Sequence, residues 1–339
     1  MPFARNRVCS PRQSNEIPGY CSMRLAPGQS VALLMSPRLG DSLLTMVVAH
    51  NLVRNGHRVV VFGDYIHSLK DWFGSFEVHP TVRPDEARSL LGGFDVLLHA
   101  YPPDVIEGTR DWHPCVLVMD EWPRYRQLKT MVQIQMELCS LDLGLADVVP
   151  DNGLVPPPHL HARAHTRRVV IHPTANLPRK SWLPQRFVAL ALQLRDDGFE
   201  PEFVMAAHER KDWDLLDQHG LPRPAFATLA DVAAWIYESG WFIGNDSGIA
   251  HLASNLGVPA VSLAVRRKIA LRWRPGWAPS RAVLPLPVLP GKIAKDRLWK
   301  HFLPVSRVLK AFADLRKETG DAVTTAGEAD QAPVVQQRG

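Results

Sequence analysis

The chain has 339 residues, of which 46% are hydrophobic and 22% are charged, and its formal net charge is +5 with a sequence pI near 9.1. Such a length and composition are typical of a soluble globular protein with two domains. No apolar run approaches the ~20 residues of a membrane span, and residues 1–25 lack the apolar region of a secretory signal. No basic run interleaved with aromatic residues dominates the chain, so the sequence does not indicate nucleic-acid binding. The mild positive charge instead favours an anionic ligand or an anionic membrane surface.

Four scattered cysteines, none of them in a C-x-x-C pair, disfavour a zinc site and a disulfide framework and suit a reducing cytosol. They are Cys9, Cys21, Cys115 and Cys139. Residues 1–26 are predicted to be a polar extension, in which Met23 offers a second start of translation.

In chain order, the first half alternates apolar β-type runs with amphipathic helical patterns. Strands are predicted at 30–36, 57–63, 94–100 and 115–120, and helices at 42–55 and 127–139. A proline-rich stretch at 150–165 then interrupts the pattern and is interpreted as a linker between domains.

The alternation resumes after the linker. Strands are predicted at 167–173, 201–207, 241–245 and 259–264, and helices at 184–197, 209–218, 229–238, around His251 and at 304–316. Two such series predict an α/β protein with two doubly wound Rossmann-like domains that face each other across a cleft. We place the N-terminal domain at 27–155, the C-terminal domain at 156–317 and a disordered tail at 318–339. The last helix is expected to pack back on the N-terminal domain.

Ligands of open parallel sheets bind beyond the carboxyl ends of the strands. This rule selects four loops in which polar residues also cluster, at 36–41, 172–181, 206–210 and 244–248.

The first loop, in SPRLGDSLLT (36–45), carries Gly40 and Asp41 close to Ser36 and Arg38. Two interpretations of Asp41 are open, and they do not exclude each other. Asp41 is the N-cap of helix 42–55, with Gly40 permitting the turn, or it is a carboxylate at the cleft that accepts a proton from a hydroxyl nucleophile. Ser36 and Arg38 are candidates for the acceptor side of that cleft.

The next two loops carry Thr174, Lys180 and Glu209. Lys180 is placed to meet a diphosphate as a mobile point charge, and its alternative is an ordinary solvated lysine. Glu209 is either an acceptor for ribose hydroxyls, as acidic residues after Rossmann strands are, or a first-turn glutamate that the helix dipole stabilises.

The fourth loop opens the segment GNDSGIAHLASNLGVP (244–259). Ser247 and His251 are four residues apart and therefore share one helical face, while Gly248 lets backbone N–H groups approach an anion. These groups suit a diphosphate leaving group, on which negative charge grows as a glycosidic bond breaks. Asp246 is either the N-cap or a ligand of sugar hydroxyls. A lone histidine here is more often structural, but its polar neighbours favour a binding role.

With these residues assembled, the chain resembles glycosyltransferase family 9, the heptosyltransferases of lipopolysaccharide core assembly. The matching pieces are RLGDSLLT, HPTANLPRKSWLPQRFVAL and GNDSGIAHLASNLGVPAVSL, within roughly residues 30–265. The resemblance implies a GT-B fold and inverting transfer of heptose from ADP-heptose to a hydroxyl of a lipid-linked core saccharide, without metal or cofactor.

The resemblance also implies roles for the residues that match its motifs. Asp41 takes the position of the general base, Asp246 that of the sugar-binding aspartate, and Glu209 loosely that of the ribose ligand. The donor phosphates fall to Lys180, Ser247, Gly248 and His251, with Thr174 beside them.

One segment departs from the family pattern. AVRRKIALRWRPGW (264–277) stands where the family usually has a phenylalanine–glycine–proline–threonine-like segment, which leaves the donor sugar open. Its arginines and tryptophans either meet phosphorylated sugars or anionic headgroups, or form a solvated basic loop. The linker histidines His159, His161 and His165 are not expected to bind a metal.

The expected partners are a nucleotide-sugar donor and a lipid-linked or free glycan acceptor, at a cytoplasmic location with peripheral contact to the inner membrane. The alternatives are a GT-B transferase with another nucleotide sugar or a non-lipid acceptor, and a non-catalytic nucleotide-sugar-binding partner in polysaccharide assembly.

Overall fold

The N-terminal domain is built on a parallel sheet. The computed structural model describes residues 10–13, 21–100, 106–286 and 298–320. The first strands are β1 (Ser10–Gln13), β2 (Cys21–Arg24), β3 (Ser30–Leu34), β4 (Arg58–Phe62), β5 (Glu77–His79), β6 (Val96–His99) and β7 (Val116–Val118). Strands β1 and β2 form a separate antiparallel pair, and the other five form one parallel sheet in the order β5-β4-β3-β6-β7. The helices of this half are α1 (Leu39–Arg54), α2 (Asp64–His67), α3 (Ala87–Leu91), α4 (Thr109–Trp112) and α5 (Met131–Glu137).

A second parallel sheet forms the C-terminal domain. Its strands are β8 (His165–His172), β9 (Glu200–Phe203), β10 (Ser239–Asn245), β11 (Ala260–Leu263) and β12 (Ser280–Val283), in the spatial order β12-β11-β10-β8-β9. The helices are α6 (Pro184–Asp196), α7 (Leu229–Tyr237), α8 (Gly248–Asn255), α9 (Arg267–Trp273) and α10 (Val305–Glu318). The predicted α/β class and the two Rossmann-like domains are therefore confirmed.

Helix α1 is the main contact between the domains. It packs on α8 of the C-terminal domain as well as on α5, and every residue from Leu43 to Ala49 is buried. A helix that is buried on all sides lies in the interior of a protein. One apolar cluster runs from the N-terminal sheet across α1 to α7 and α8, so the two domains share a core that fixes their relative position.

The predicted linker is a hydrogen-bonded joint. The stretch between α5 and β8 includes Asn152, which is buried and donates from Nδ2 to the Leu43 carbonyl at 3.1 Å and to Asn255 Oδ1 at 2.8 Å. Asn255 donates in return to Asn152 Oδ1 at 3.0 Å. Because these partners lie on α1 and α8, the joint ties the chain crossover to both helices of the interface.

The position of the last helix corrects the sequence prediction. Helix α10 packs on the C-terminal sheet, where Val308, Phe312 and Leu315 are buried. The Phe312 ring contacts Trp241 at a centroid distance of 5.3 Å and Phe199 at 5.2 Å. The apolar stripe of the helix was correctly predicted, but the surface that receives it is the outer face of its own domain, opposite α7 and α8.

Three further expectations change. The predicted polar extension contains the β1–β2 pair. The predicted helix 209–218 is instead a series of 3₁₀ turns over Ala207–His219, which changes direction at the buried Trp213. Cys115 is disulfide-bonded, contrary to the expectation of reduced cysteines, because thiols far apart in sequence meet only in the folded chain. Cys139 is free and buried, and burial raises the pKa of its thiol.

None of the helices in the described part of the chain combines the length and apolarity needed to cross a bilayer. Of the predicted tail, residues 321–339 lie outside the described residues, and Glu318 belongs to α10.

Candidate active site

A cavity of about 850 Å³ lies between the two domains. The carboxyl end of β3 faces it from the N-terminal domain, and the carboxyl ends of β8, β9 and β10 face it from the C-terminal domain. All four loops selected from the sequence line it. The predicted site residues that line the cavity are Arg38, Asp41, Thr174, Lys180, Glu209, Asp246, Ser247, Gly248 and His251. Ser36 is buried behind this wall, within hydrogen-bond distance of Asp41.

The first turns of α1 and α8 meet at a pair of glycines. A Cβ on Gly248 would lie 2.8 Å from Leu39 Cβ and 3.0 Å from Gly40 N. A Cβ on Gly40 would lie 3.0 Å from His251 Cδ2 and 3.4 Å from Gly248 Cα. Real Cβ atoms essentially never approach another atom to 2.8 Å, so position 248 requires glycine, whereas a Cβ at position 40 would force the His251 ring to shift by a few tenths of an ångström. The glycine pair therefore brings the Asp41 turn of one domain against the Ser247 turn of the other.

Asp41 lies within the first turn of α1 and is not its cap. The helix begins at Leu39, with Arg38 in the N-cap position and no side-chain cap hydrogen bond. The carboxylate is consequently free of capping, and from the described residues it accepts only a long hydrogen bond, from Ser36 Oγ at 3.3 Å. Burial raises the pKa of the Asp41 carboxyl, and the positive charge of Arg38 and the Ser36 hydroxyl oppose that rise. A half-buried carboxylate with a raised pKa is a stronger base than an exposed one.

Ser247, and not Asp246, caps α8. The backbone N–H of Ala250 donates to Ser247 Oγ at 3.4 Å, and Ser247 has the extended backbone of an N-cap. Asp246 instead pairs with Lys180, whose Nζ lies 3.6 Å from Asp246 Oδ2. Burial raises the pKa of the Asp246 carboxyl, and Lys180 partly offsets this rise.

Asn245 positions both halves of the C-terminal loop cluster, and sequence reasoning missed it. It is fully buried at the end of β10. Its Oδ1 accepts from the Trp182 N–H at 3.1 Å, and its Nδ2 donates to the Pro173 carbonyl at 2.7 Å. The Lys180 loop is thereby held beside Asp246. The only signal in the sequence was an amide at the end of an apolar strand.

His251 is a neutral histidine. Its side chain is buried, and desolvation, reinforced by the nearby charge of Lys180, lowers its pKa to about 4. Its Nδ1 is buried without a hydrogen-bond partner among the described residues. A neutral imidazole at a helix start contributes an N–H donor and no formal charge, so the formal positive charge at this end of the cavity comes from Lys180.

Glu209 and Thr174 form a small hydrogen-bonded cluster. Thr174 Oγ1 donates to Glu209 Oε2 at 3.0 Å, and the Ala206 N–H donates to the same oxygen at 2.9 Å. His172, which sequence reasoning did not select, lies 3.4 Å from the Thr174 hydroxyl through Nε2 and binds the Val204 carbonyl through Nδ1 at 2.8 Å. Both of these hydrogen bonds end on Glu209 Oε2, so Oε1 is the oxygen that is available to a ligand.

The structure adds wall residues that the sequence did not indicate, and it places Trp273, one of the tryptophans considered for sugar contacts, at the same wall. Phe226 and Leu229, which precede or begin α7, line the cavity together with Tyr65 of the N-terminal domain. Ile269 and Trp273 of α9 line it as well. Because β11 lies beside β10 on the side away from β8 and β9, α9 reaches the cavity opposite the Glu209 cluster.

Residues 109–275 match the model of glycosyltransferase family 9 (heptosyltransferase). This segment, which spans parts of both structural domains, is similar to the family 9 glycosyltransferases. It contains Lys180 and the α8 turn, whereas Asp41 lies before it. The chain is accordingly a glycosyltransferase, and no curated protein sequence matches it significantly.

Solved glycosyltransferase structures share the fold over both domains. A family 9 glycosyltransferase from Veillonella parvula is 17% identical with a TM-score of 0.66, covering 88% of this chain and 99% of that one. The E. coli ADP-heptose lipopolysaccharide heptosyltransferase II is 16% identical, with a TM-score of 0.63 and coverage of 86% and 99%. The E. coli heptosyltransferase WaaC with ADP is 13% identical, with a TM-score of 0.62 and coverage of 84% and 99%. The GT-B architecture is thereby established.

Proposed function

We propose that this protein transfers a heptose-type sugar from a nucleotide diphosphate donor, with ADP-heptose as the favoured donor, to a hydroxyl of lipopolysaccharide core or a related glycan, with inversion at the anomeric carbon. One observation carries the proposal. A free, half-buried carboxylate and the capped start of α8 line the same cavity on opposite domains, joined at the Gly40–Gly248 contact. A base facing an anion-binding helix start is the arrangement that direct displacement of a diphosphate requires.

In this mechanism Asp41 removes the proton of the acceptor hydroxyl. The acceptor oxygen forms a bond to the anomeric carbon while the bond from that carbon to the phosphate oxygen breaks. The electron pair of the broken bond stays on the departing diphosphate. The raised pKa of Asp41 strengthens its basicity, and protonation by the acceptor removes a buried negative charge from the wall.

The leaving group is stabilised by Lys180, by the free N–H groups at the start of α8 and by neutral His251. Charge-assisted hydrogen bonds to a developing oxyanion are among the largest catalytic contributions. These groups supply the positive potential that a bivalent cation supplies in other transferases, so we propose that the reaction proceeds without metal. Thr174 borders the same site, and Glu209 Oε1 is the proposed ribose acceptor.

Donor binding changes the pairing of Lys180. Its ammonium faces Asp246 at 3.6 Å. A bound diphosphate draws that ammonium toward its own charge, which frees the Asp246 carboxylate for hydroxyls of the transferred sugar. Asp246 therefore serves the sugar and Lys180 the phosphates, as their positions on adjacent loops suggest.

A second candidate is a transferase of the same fold that uses another nucleotide sugar. Ile269 and Trp273 favour it, since they project into the cavity from the segment that replaces the usual family sequence. We propose ADP-heptose as the first donor to test because heptosyltransferases with ADP and with an ADP-heptose analogue are among the structural neighbours.

The test is transfer by wild type and by Asp41→Asn. Asparagine keeps the shape of the side chain and removes its basicity, so we expect kcat to fall about 10²–10⁴-fold, the range of general-base catalysis. ADP affinity, measured by calorimetry, should change less than threefold. Asp64→Asn, on α2 of the same domain, is the control. Wild-type turnover in Asp41→Asn would disprove the base assignment. Binding of every ADP-, UDP- or GDP-sugar without transfer would instead indicate a non-catalytic binding partner.

A further inference from the structure

Helix α9 presents a basic, partly apolar surface to solvent. Ile269 and Trp273 face the cavity, which leaves Arg267, Lys268 and Leu271 on the other sides of this seven-residue helix. Arg267 and Lys268 are exposed, and the Leu271 side chain is 45% exposed.

A second exposed leucine lies near α9 on the other domain. Arg272 donates from Nη1 to the Gln127 carbonyl at 2.8 Å and also bonds the Tyr125 carbonyl. This contact sets Leu128, which is 57% exposed, next to α9. We call Leu128, Arg267, Lys268, Leu271 and Arg274 the basic leucine patch.

The charge of the patch is not neutralised. No described carboxylate forms an ion pair with Arg267, Lys268 or Arg274. The sequence contains no aspartate or glutamate anywhere from 247 to 295, although this stretch contains eight lysines and arginines. Elsewhere on the surface, cations form ion pairs with acidic neighbours, for example Arg223 with Asp217 and Lys310 with Asp314.

We infer that the basic leucine patch docks the protein on an anionic phospholipid surface. Exposed cations supply attraction to lipid phosphates, and leucines beside them insert at the boundary of headgroups and acyl chains. Charge complementarity selects this occupant, since a stretch of 49 residues with eight lysines and arginines and no carboxylate matches the excess negative charge of an anionic bilayer. The docking inference rests on the basic leucine patch and not on the proposed transferase function.

The basic leucine patch lies close to the cavity, and this position has a consequence for acceptor binding that rests on the proposed function. The helix that bears the patch also contributes Ile269 and Trp273 to the cavity wall. A bilayer against the patch therefore lies beside the cavity, where a lipid-linked acceptor presents its saccharide. The donor reaches the same cavity from solution.

The experiment is sedimentation of the full chain with vesicles. Vesicles of phosphatidylglycerol and phosphatidylethanolamine are compared with vesicles of phosphatidylcholine, at low and at high salt. We expect binding to the anionic vesicles only, weakened at high salt. Reversal of the patch cations by Arg267→Glu, Lys268→Glu and Arg274→Glu together should lower the partition coefficient at least tenfold.

Two controls make the result specific to the patch. The triple variant Arg307→Glu, Lys310→Glu and Lys317→Glu on α10 changes the net charge equally and should bind vesicles like wild type. Leu271→Glu should weaken binding at least fivefold, whereas Leu90→Glu, at an equally exposed leucine of the N-terminal domain, should not.

No vesicle binding by wild type, or equal loss in the α10 control, would overturn the inference. So would unchanged binding by the patch variants. Circular dichroism melting verifies that each variant is folded. Donor turnover without vesicles is measured in parallel and should be unaffected by the patch variants. Failure of turnover in wild type would count against the proposed function and leave the docking result standing.

Discussion

Gly248→Ala tests whether the contact between the two helix starts builds the active site. The new Cβ would lie 2.8 Å from Leu39 Cβ, 3.3 Å from Leu39 Cγ and 3.0 Å from Gly40 N. Carbon atoms in contact prefer ~3.5–4.0 Å, so α8 and α1 must separate by about 1 Å. Leu39 Cβ is bound directly to the α1 backbone and cannot rotate away.

Two effects on stability oppose each other. Overpacking of this kind costs ~1–3 kcal/mol, while alanine is favoured over glycine in a helix by up to ~1 kcal/mol. We therefore expect the free energy of unfolding to fall by ~1–2 kcal/mol. A misplacement of about 1 Å can lower turnover ~10²-fold. Turnover should therefore fall by a much larger factor than the modest loss of stability suggests, because the same displacement moves Asp41 away from the diphosphate site.

The assays are urea unfolding and steady-state transfer with a nucleotide-sugar donor. Gly74→Ala is the control, because a Cβ on Gly74 meets no atom within 4 Å. Gly40→Ala should have an intermediate effect, since its closest neighbour is the His251 ring at 3.0 Å. If Gly248→Ala kept wild-type turnover and stability, the interpretation of Gly248 as a structural requirement would be refuted.

Further outcomes follow from the charges. Lys180→Ala should weaken ADP binding about 10–100-fold in calorimetry, since a charge-assisted hydrogen bond contributes ~1.5–3 kcal/mol; unchanged affinity would argue against a phosphate role. The raised pKa of Asp41 places the acid limb of kcat/KM above the ordinary aspartate range, and a limb at or below that range would contradict the assignment. His251 and His99 have folded pKa values of about 4 against an ordinary 6.5. The unfolded chain therefore binds more protons between these values, and stability is lost as pH falls through this window, by ~3 kcal/mol per histidine near pH 4. Unfolding of His251→Gln at pH 5 and pH 7 checks this, because the variant should lose less stability on acidification than wild type.

The sequence predicted the location of the candidate site through strand ends. Each of the four loops was found from an apolar run followed by polar residues, and a parallel sheet brings such loops to one edge. Lys180 and Asp246 were selected in this way, although 66 residues separate them along the chain. The rule that ligands bind at strand ends does not specify that these two side chains pair at 3.6 Å, which only the tertiary structure shows.

Helix starts show where local patterns are insufficient. Asp41 and Asp246 both have the side chain of a good cap, yet α1 begins earlier, at Leu39, and α8 later, at Gly248. The exact start of a helix depends on which turn its neighbours bury. Because neither carboxylate is consumed as a cap, both are free to face the cavity.

The sequence by itself determined the periodicity of each element, and with it the class of fold, the two domains and the polar strand ends. These features are local, because the spacing of apolar residues within one helix or strand decides which of its faces is buried. Only the tertiary structure decided what lies against each face: α10 on its own domain, Ile269 and Trp273 at the cavity, and Gly40 against Gly248. Such contacts join residues far apart along the chain, and they are selected by the fit of whole surfaces, which no local pattern contains.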